Sequence, residues 1–308
     1  MTLLLLLVGL GLIVLGADWL VDGASSIARK AGVSEFVIGL TIVGFGTSCP
    51  ELVVSLTGAL AGNADIAIGN VAGSNIFNVL FILGLTSLIR PVSMTATNRR
   101  RDIPLTLLVT VLFLLLGMSG NGIVRLEGLI FVSLFVAYII WSFKGGKTEQ
   151  ADEAAQQRNL PVSVALVAAG LAGLIFGGDL FVKKATELAR LLGVSDKFIA
   201  VTVLAGGTSL PELATSFVAA LKGREQLALG NILGSNVFNI LLIIGASSII
   251  TPLSFGSVTA IDAATLCVSM LLLLLWAYTG RRENVDRWEG ALMLLVFGAY
   301  YCYLFNNI

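Results

Sequence analysis

The sequence predicts an all-α polytopic membrane protein, with ten transmembrane helices arranged as two inverted five-helix repeats. Three observations lead there. The 308 residues are 56% hydrophobic and only 12% charged, whereas soluble domains carry about 25% charged residues. Apolar segments recur along the chain, many near the length of about 20 residues that crosses a bilayer. One phrase, GTSCPEL at 46–52, returns almost unchanged as GTSLPEL at 207–213.

The spans are expected at 3–22, 36–60, 66–89, 103–119, 124–143, 160–182, 197–221, 226–250, 259–279 and 288–306. The first, MTLLLLLVGLGLIVLGADWL, is read as a retained helix rather than a signal peptide. It has no basic leader and no small-residue cleavage pattern before Asp18 and Trp19. The only sizeable polar stretch, KGGKTEQADEAAQQRN at 144–159, reads as a solvated linker between a first repeat (1–143) and a second (160–308). With the N-terminus outside, 14 of the 19 Lys and Arg residues fall in inner loops and 5 on the outer side. That split favours two extracytoplasmic termini, a cytoplasmic linker and a cell-membrane location.

Composition also excludes. With no histidine in the chain, imidazole metal sites, catalytic triads and histidine proton shuttles are ruled out. Cys49, Cys267 and Cys302 form no motif and read as free thiols. The formal net charge is zero and no basic stripe points to nucleic acid. The expected surroundings are a lipid bilayer, and neither a cofactor nor an obligate protein partner is implied.

A shift of 161 residues lays Thr41–Gly84 on Thr202–Gly245 with 22 identities in 44 positions. The same shift carries Asp18 onto Asp179, Gly32 onto Gly193 and Pro91 onto Pro252. Each half holds five spans, an odd number, so the second half enters the membrane from the opposite side. Inverted repeats of this kind are common among secondary transporters.

Glu51 sits inside an apolar run, where a carboxylate costs about 2.5–3.5 kcal/mol on insertion scales. Pro50 cannot bond the carbonyl of Gly46 and its ring crowds the preceding turn, so the helix should break near Cys49. Carbonyls freed there persist in a membrane only where protein, water or ions satisfy them. Thr47, Ser48, Glu51 and Ser55 share one helix side, as do Thr208, Ser209, Glu212 and Ser216. The partner phrases GNVAGSNIFN and GNILGSNVFN carry polar stripes Asn70, Ser74, Asn78 and Asn231, Ser235, Asn239, and their glycines allow close helix approach. No Lys or Arg lies within these phrases to neutralise the two glutamates. A bound cation is the expected counter-charge, and hard cations seek such oxygens. The plainer alternatives are helix–helix glue for a lone Ser or Asn, an ion-pair role for a lone Glu51, and interfacial placement for Asp18 and Asp179.

These paired phrases resemble the two α-repeats of the cation/calcium exchanger superfamily, specifically its sodium/calcium exchanger branch. The similarity extends over the ten-helix core; the large cytosolic region of animal members has no counterpart here. The resemblance implies an antiporter exchanging sodium for calcium by alternating access, with Ca2+ and Na+ as transported ions. It implies that Glu51 and Glu212, with backbone carbonyls of Thr47 and Thr208, ligate calcium. Ser48, Ser74, Ser209, Ser235, Asn78 and Asn239 would join the glutamates in sodium sites, with the carbonyls of Gly44 and Ala205 as further candidates. Potassium-dependent relatives carry an aspartate at one of the positions held here by Asn78 and Asn239, so potassium coupling is not expected. The alternatives are exchange of calcium or another divalent cation for protons on the same glutamates, a passive channel, and a membrane-embedded enzyme. The last lacks any recognisable catalytic group.

Overall fold

The computed structural model describes every residue except 63, 120–121, 146–157, 195–204, 257, 280–282 and 308. Eleven helices are used below: α1 (Thr2–Ala31), α2 (Glu35–Thr47), α3 (Cys49–Leu60), α4 (Asp65–Ile89), α5 (Ile103–Gly117), α6 (Arg125–Gly145), α7 (Leu160–Leu191), α8 (Leu210–Leu221), α9 (Glu225–Ile250), α10 (Ala260–Thr279) and α11 (Arg287–Asn307). Among the described residues, seven helices are long and apolar enough to cross a membrane, or eight if the bent pair α2–α3 is one span. The sequence reading counts ten. The difference lies in α5 and α8, only 15 and 12 residues long. The start of the span expected at 197–221 and most of the 144–159 linker fall outside the described residues.

Helices α1 and α7 run well past the expected 3–22 and 160–182; the final turns of α1 bury small residues such as Ala24, Ser25, Ser26 and Ala28 against neighbours rather than unwinding, whereas those of α7 bury only Thr186. At 30 residues, α1 is about 45 Å long, more than the hydrocarbon thickness of about 30 Å. Both helices end alike. Gly32 takes φ 65° and Gly193 φ 78°. Val33 N–H then reaches back to Ala28 O, and Val194 N–H to Ala189 O, each at the distance of a normal hydrogen bond. A side chain at either glycine would oppose that left-handed turn.

The two long helices pack through glycine. A Cβ added at Gly16 would lie 2.8 Å from Gly170 O, one at Gly23 2.7 Å from Ser163 O, and one at Gly9 3.0 Å from Gly177 O. As the number rises along α1 it falls along α7, so the helices are antiparallel, although sequence equivalence pairs them.

Helices α4 and α9 form the centre, with α9 buried almost throughout. Both widen into π-helical turns at matching places, Phe77–Leu83 and Phe238–Ile244. Such turns recur at functional sites in helices. Helix α2 packs on α9 through Gly39, Gly44, Gly230 and Gly234; Gly39, Gly230 and Gly234 leave no room for a Cβ beside the facing backbone, and Gly44 is a tight fit.

Helix alone was expected, yet two short strands occur, β1 (Val92–Ser93) and β2 (Asn284–Val285), paired antiparallel. A single bridge joins Ile123 to Leu253. These pairings satisfy backbone groups in loops that join the two halves. They answer each other under the repeat, since Val92 is equivalent to Leu253.

Candidate functional site

The bend of 47° between α2 and α3 brings the first motif into the core. Its joint is Ser48, at φ −83° and ψ 8°, one residue before the expected break, and Cys49 already begins α3. Placing the joint there puts Pro50 in the first turn of α3, where its missing N–H has no helical partner to lose. Ser209 is the matching joint before α8, at φ −87° and ψ 8°. Glu51 and Glu212 therefore stand in the first turns of their helices. The helix dipole there favours a carboxylate.

The two motifs exchange hydrogen bonds. Ser48 Oγ donates to Glu212 Oε1 at 2.8 Å, and Ser209 Oγ lies 3.0 Å from Glu51 Oε1. Ser235 adds a longer contact to Glu212 Oε1 at 3.4 Å, and Ser74 lies 3.2 Å from Ser209. Asn70 Nδ2 donates to Glu51 O at 3.3 Å and Ser55 Oγ at 3.1 Å; Asn231 does the same to Glu212 O at 3.3 Å and Ser216 Oγ at 3.0 Å. Thr47 Oγ1 donates to Asn231 Oδ1 at 3.1 Å, whereas the Thr208 hydroxyl has no hydrogen-bond partner among the described residues. Ser235 also reaches the carbonyl of Gly44, at 3.5 Å.

Glu51 and Glu212 are each 1% exposed. Among the described residues no Lys or Arg pairs with either; ion pairs such as Lys222–Asp18 and Arg224–Glu35 lie elsewhere. Among the carboxylate and amide oxygens of these motifs, four buried ones lack a hydrogen-bond donor among the described residues: Oε2 of Glu51, Oε2 of Glu212, Oδ1 of Asn78 and Oδ1 of Asn239; Glu289 Oε1 and several hydroxyls lack a partner elsewhere. The four form two equivalent pairs. Buried acceptors are ordinarily satisfied, so an oxygen set of this kind, carrying two carboxylates, is the donor chemistry a hard cation takes.

Glu51, Glu212, Ser48, Ser209, Ser74, Ser235, Asn78 and Asn239 are thus all buried at the meeting of the two halves, and Thr47 and Thr208 flank them. Asp18 and Asp179 are not part of it. Each pairs instead with a lysine, Asp18 with Lys222 at 2.7 Å and Asp179 with Lys183 at 2.8 Å.

Asn75 and Asn236 are buried at the same junction and were missed in the sequence reading. A stripe at i, i+4 and i+8 passes over them. The signal available was the repeated GSN, in which the residue after each serine is the same amide.

Known proteins resemble the chain in sequence and in overall fold. A family described as "Sodium/calcium exchanger protein" matches residues 1–144 and 162–306. A protein provisionally named antiporter CaxA, from Alkalimonas amylolytica, is 40% identical over 98% of both chains. The sodium/calcium exchanger MaX1 of Methanosarcina acetivorans is 33% identical, again over 98% of both. A solved structure of the sodium-calcium exchanger NCX_Mj superposes with a TM-score of 0.87 at 33% identity, covering 98% of each chain.

Proposed function

The chain belongs to the sodium/calcium exchanger protein family, and on that premise we propose that the carboxylates of Glu51 and Glu212 jointly hold calcium at the junction of its two halves. It is an integral multi-pass membrane antiporter that exchanges sodium for calcium, not an enzyme. Ser48, Ser74, Ser209, Ser235, Asn78 and Asn239 share the glutamates with sodium, and the backbone carbonyls of Thr47 and Thr208 complete the calcium site. Two carboxylates match one divalent charge, and neutral oxygens suit sodium when calcium has left.

The observation that carries this reading is the symmetric set of four buried carboxylate and amide oxygens in the two motifs that have no donor among the described residues. A site poised to accept a cation from either half suits alternating access, in which one structural unit moves against another around a fixed site. The antiparallel packing of the equivalent helices α1 and α7 and the reciprocal Ser–Glu bonds support two inverted repeats, 1–143 and 160–308, of five spans each. We assign both termini to the outer side of the cytoplasmic membrane and the 144–159 linker to the cytoplasm, on the loop-charge asymmetry.

The test is calcium flux into proteoliposomes with sodium and pH gradients imposed separately. An outward-directed sodium gradient should drive calcium uptake, and dissipating it should stop net uptake. Uptake driven by a pH gradient and indifferent to sodium would replace sodium with protons as the coupling ion. Steady current without counter-ion dependence would indicate a channel.

A further inference from the structure

We propose that Asn75 and Asn236 are positioning residues that set which end of the Asn239 and Asn78 amides faces the transported cation. The proposal rests on the reading of Asn78 and Asn239 as ligands. An asparagine presents an acceptor at Oδ1 and a donor at Nδ2, and only the former can ligate a cation. Something must therefore decide how each amide is turned.

The deciding groups are two backbone carbonyls. Asn75 Nδ2 lies 3.2 Å from Asn236 O, and a carbonyl can only accept, so the NH2 of Asn75 must face it. The Oδ1 of Asn75 is thereby left facing Asn239, whose Nδ2 donates to it at 2.9 Å. Asn239 Oδ1 is the end that remains, and it has no donor among the described residues. The other limb runs the same way. Asn236 Nδ2 faces Asn75 O at 3.5 Å, Asn236 Oδ1 accepts from Asn78 Nδ2 at 3.0 Å, and Asn78 Oδ1 has no donor among the described residues.

Turning any one amide over would set acceptor against acceptor at one contact. The direction of the whole relay therefore follows from its carbonyl anchors, independently of how any single side chain is assigned. Each half orients the ligand of the other, which ties ion coordination to the contact between the repeats. Asn75 and Asn236 are 0% and 1% exposed, so water does not compete for these bonds. The Asn75 limb has the shorter anchor and should act more strongly.

The experiment uses the full chain in proteoliposomes and two readouts: the sodium concentration that half-activates calcium efflux, and sodium-free calcium–calcium isotope exchange. Asn75→Leu removes donor and acceptor, freeing the Asn239 amide to present its NH2. Half-activation should need about tenfold more sodium, the usual effect of removing a group that orients a ligand. Calcium–calcium exchange should be retained. Adding Asn239→Asp to Asn75→Leu should recover sodium activation, because a carboxylate offers an oxygen whichever way it turns. If Asn75→Leu does not give monodisperse protein, Asn75→Ala removes the same groups with less bulk. Unchanged sodium dependence in these variants overturns the proposal, as does a parallel loss of both readouts that Asn239→Asp does not relieve. The parent reading fails separately, if Glu51→Gln and Glu212→Gln leave calcium–calcium exchange intact.

Discussion

Ser48 of the first motif donates its hydroxyl to Glu212 of the second at 2.8 Å, and Ser209 returns the same service to Glu51 at 3.0 Å. The carboxylates are thus held by the opposite half of the chain, each through Oε1, while each Oε2 has no donor among the described residues. Neither half can build the site alone.

The charge on the two glutamates should be indispensable. Glu51→Gln and Glu212→Gln preserve side-chain shape and a carbonyl oxygen but leave one negative charge for a divalent ion. Each should reduce calcium transport by about 100-fold or more, the upper range for disturbed metal sites. Folding should be largely retained, since removing a buried unpaired charge relieves desolvation. Uptake assays on purified, monodisperse protein check this, and near-normal transport by both variants would refute the assignment.

The serines should matter less, because each supplies one neutral hydroxyl. Ser48→Ala frees Glu212 Oε1 from its shortest bond but leaves the 3.4 Å contact from Ser235. Ser209→Ala removes the only hydroxyl bonded to Glu51 Oε1 among the described residues, and with it the link to Ser74. Loss of Ser209 should therefore cost more than loss of Ser48. A few-fold weaker sodium activation is expected for Ser48→Ala and about tenfold for Ser209→Ala, in line with net hydrogen-bond energies of about 1.5 kcal/mol for charged partners. Sodium titration of calcium efflux in both variants would reveal the order.

Much of this site was legible because the sequence repeats itself. A glutamate, a proline and two hydroxyls duplicated at fixed spacing point to one cation shared between halves, and Ser48, Glu51, Ser209 and Glu212 are buried together. The joint was misplaced by one residue because sequence rules describe what proline forbids before it. They do not describe where the neighbouring helix lets the chain turn. Asn75 and Asn236 escaped for a different reason: a helix-period stripe records one face, whereas these amides face the equivalent helix, next to π-helical turns that shift the register. The full extent of α1 was hidden because hydropathy falls where its last turns become small and polar, although those turns remain packed.

Glycine at the α1–α7 contact should be required for stability. A Cβ at Gly170 would lie 2.7 Å from both Gly16 O and Leu20 N, backbone atoms that cannot swing aside. Gly170→Val should destabilise by about 1–3 kcal/mol or more, the usual cost of overpacking. Gly178 is on the same helix with nothing within 4 Å of an added Cβ, so Gly178→Ala should be neutral or stabilise by about 0.5–1 kcal/mol. Thermal unfolding in detergent micelles should separate the two variants, and equal melting temperatures would contradict the antiparallel packing.

Asp18 offers the opposite case, a membrane-segment carboxylate outside the ion site. Its side chain is 45% exposed and pairs with Lys222, which also reaches Asp22 at 2.5 Å. Asp18→Asn removes one charge from a pair accessible to solvent, and Asp22 remains to hold the lysine. The stability change should be within about 1 kcal/mol, since such exposed pairs contribute little. Calcium and sodium half-activation should match those of the parent protein. The Asp22→Asn partner variant should lose more, because Arg158 bonds the same carboxylate at 3.2 Å. If Asp18→Asn instead abolished exchange as completely as Glu51→Gln, this aspartate would have to be counted among the groups that handle the ions, and the boundary drawn around the site would be wrong.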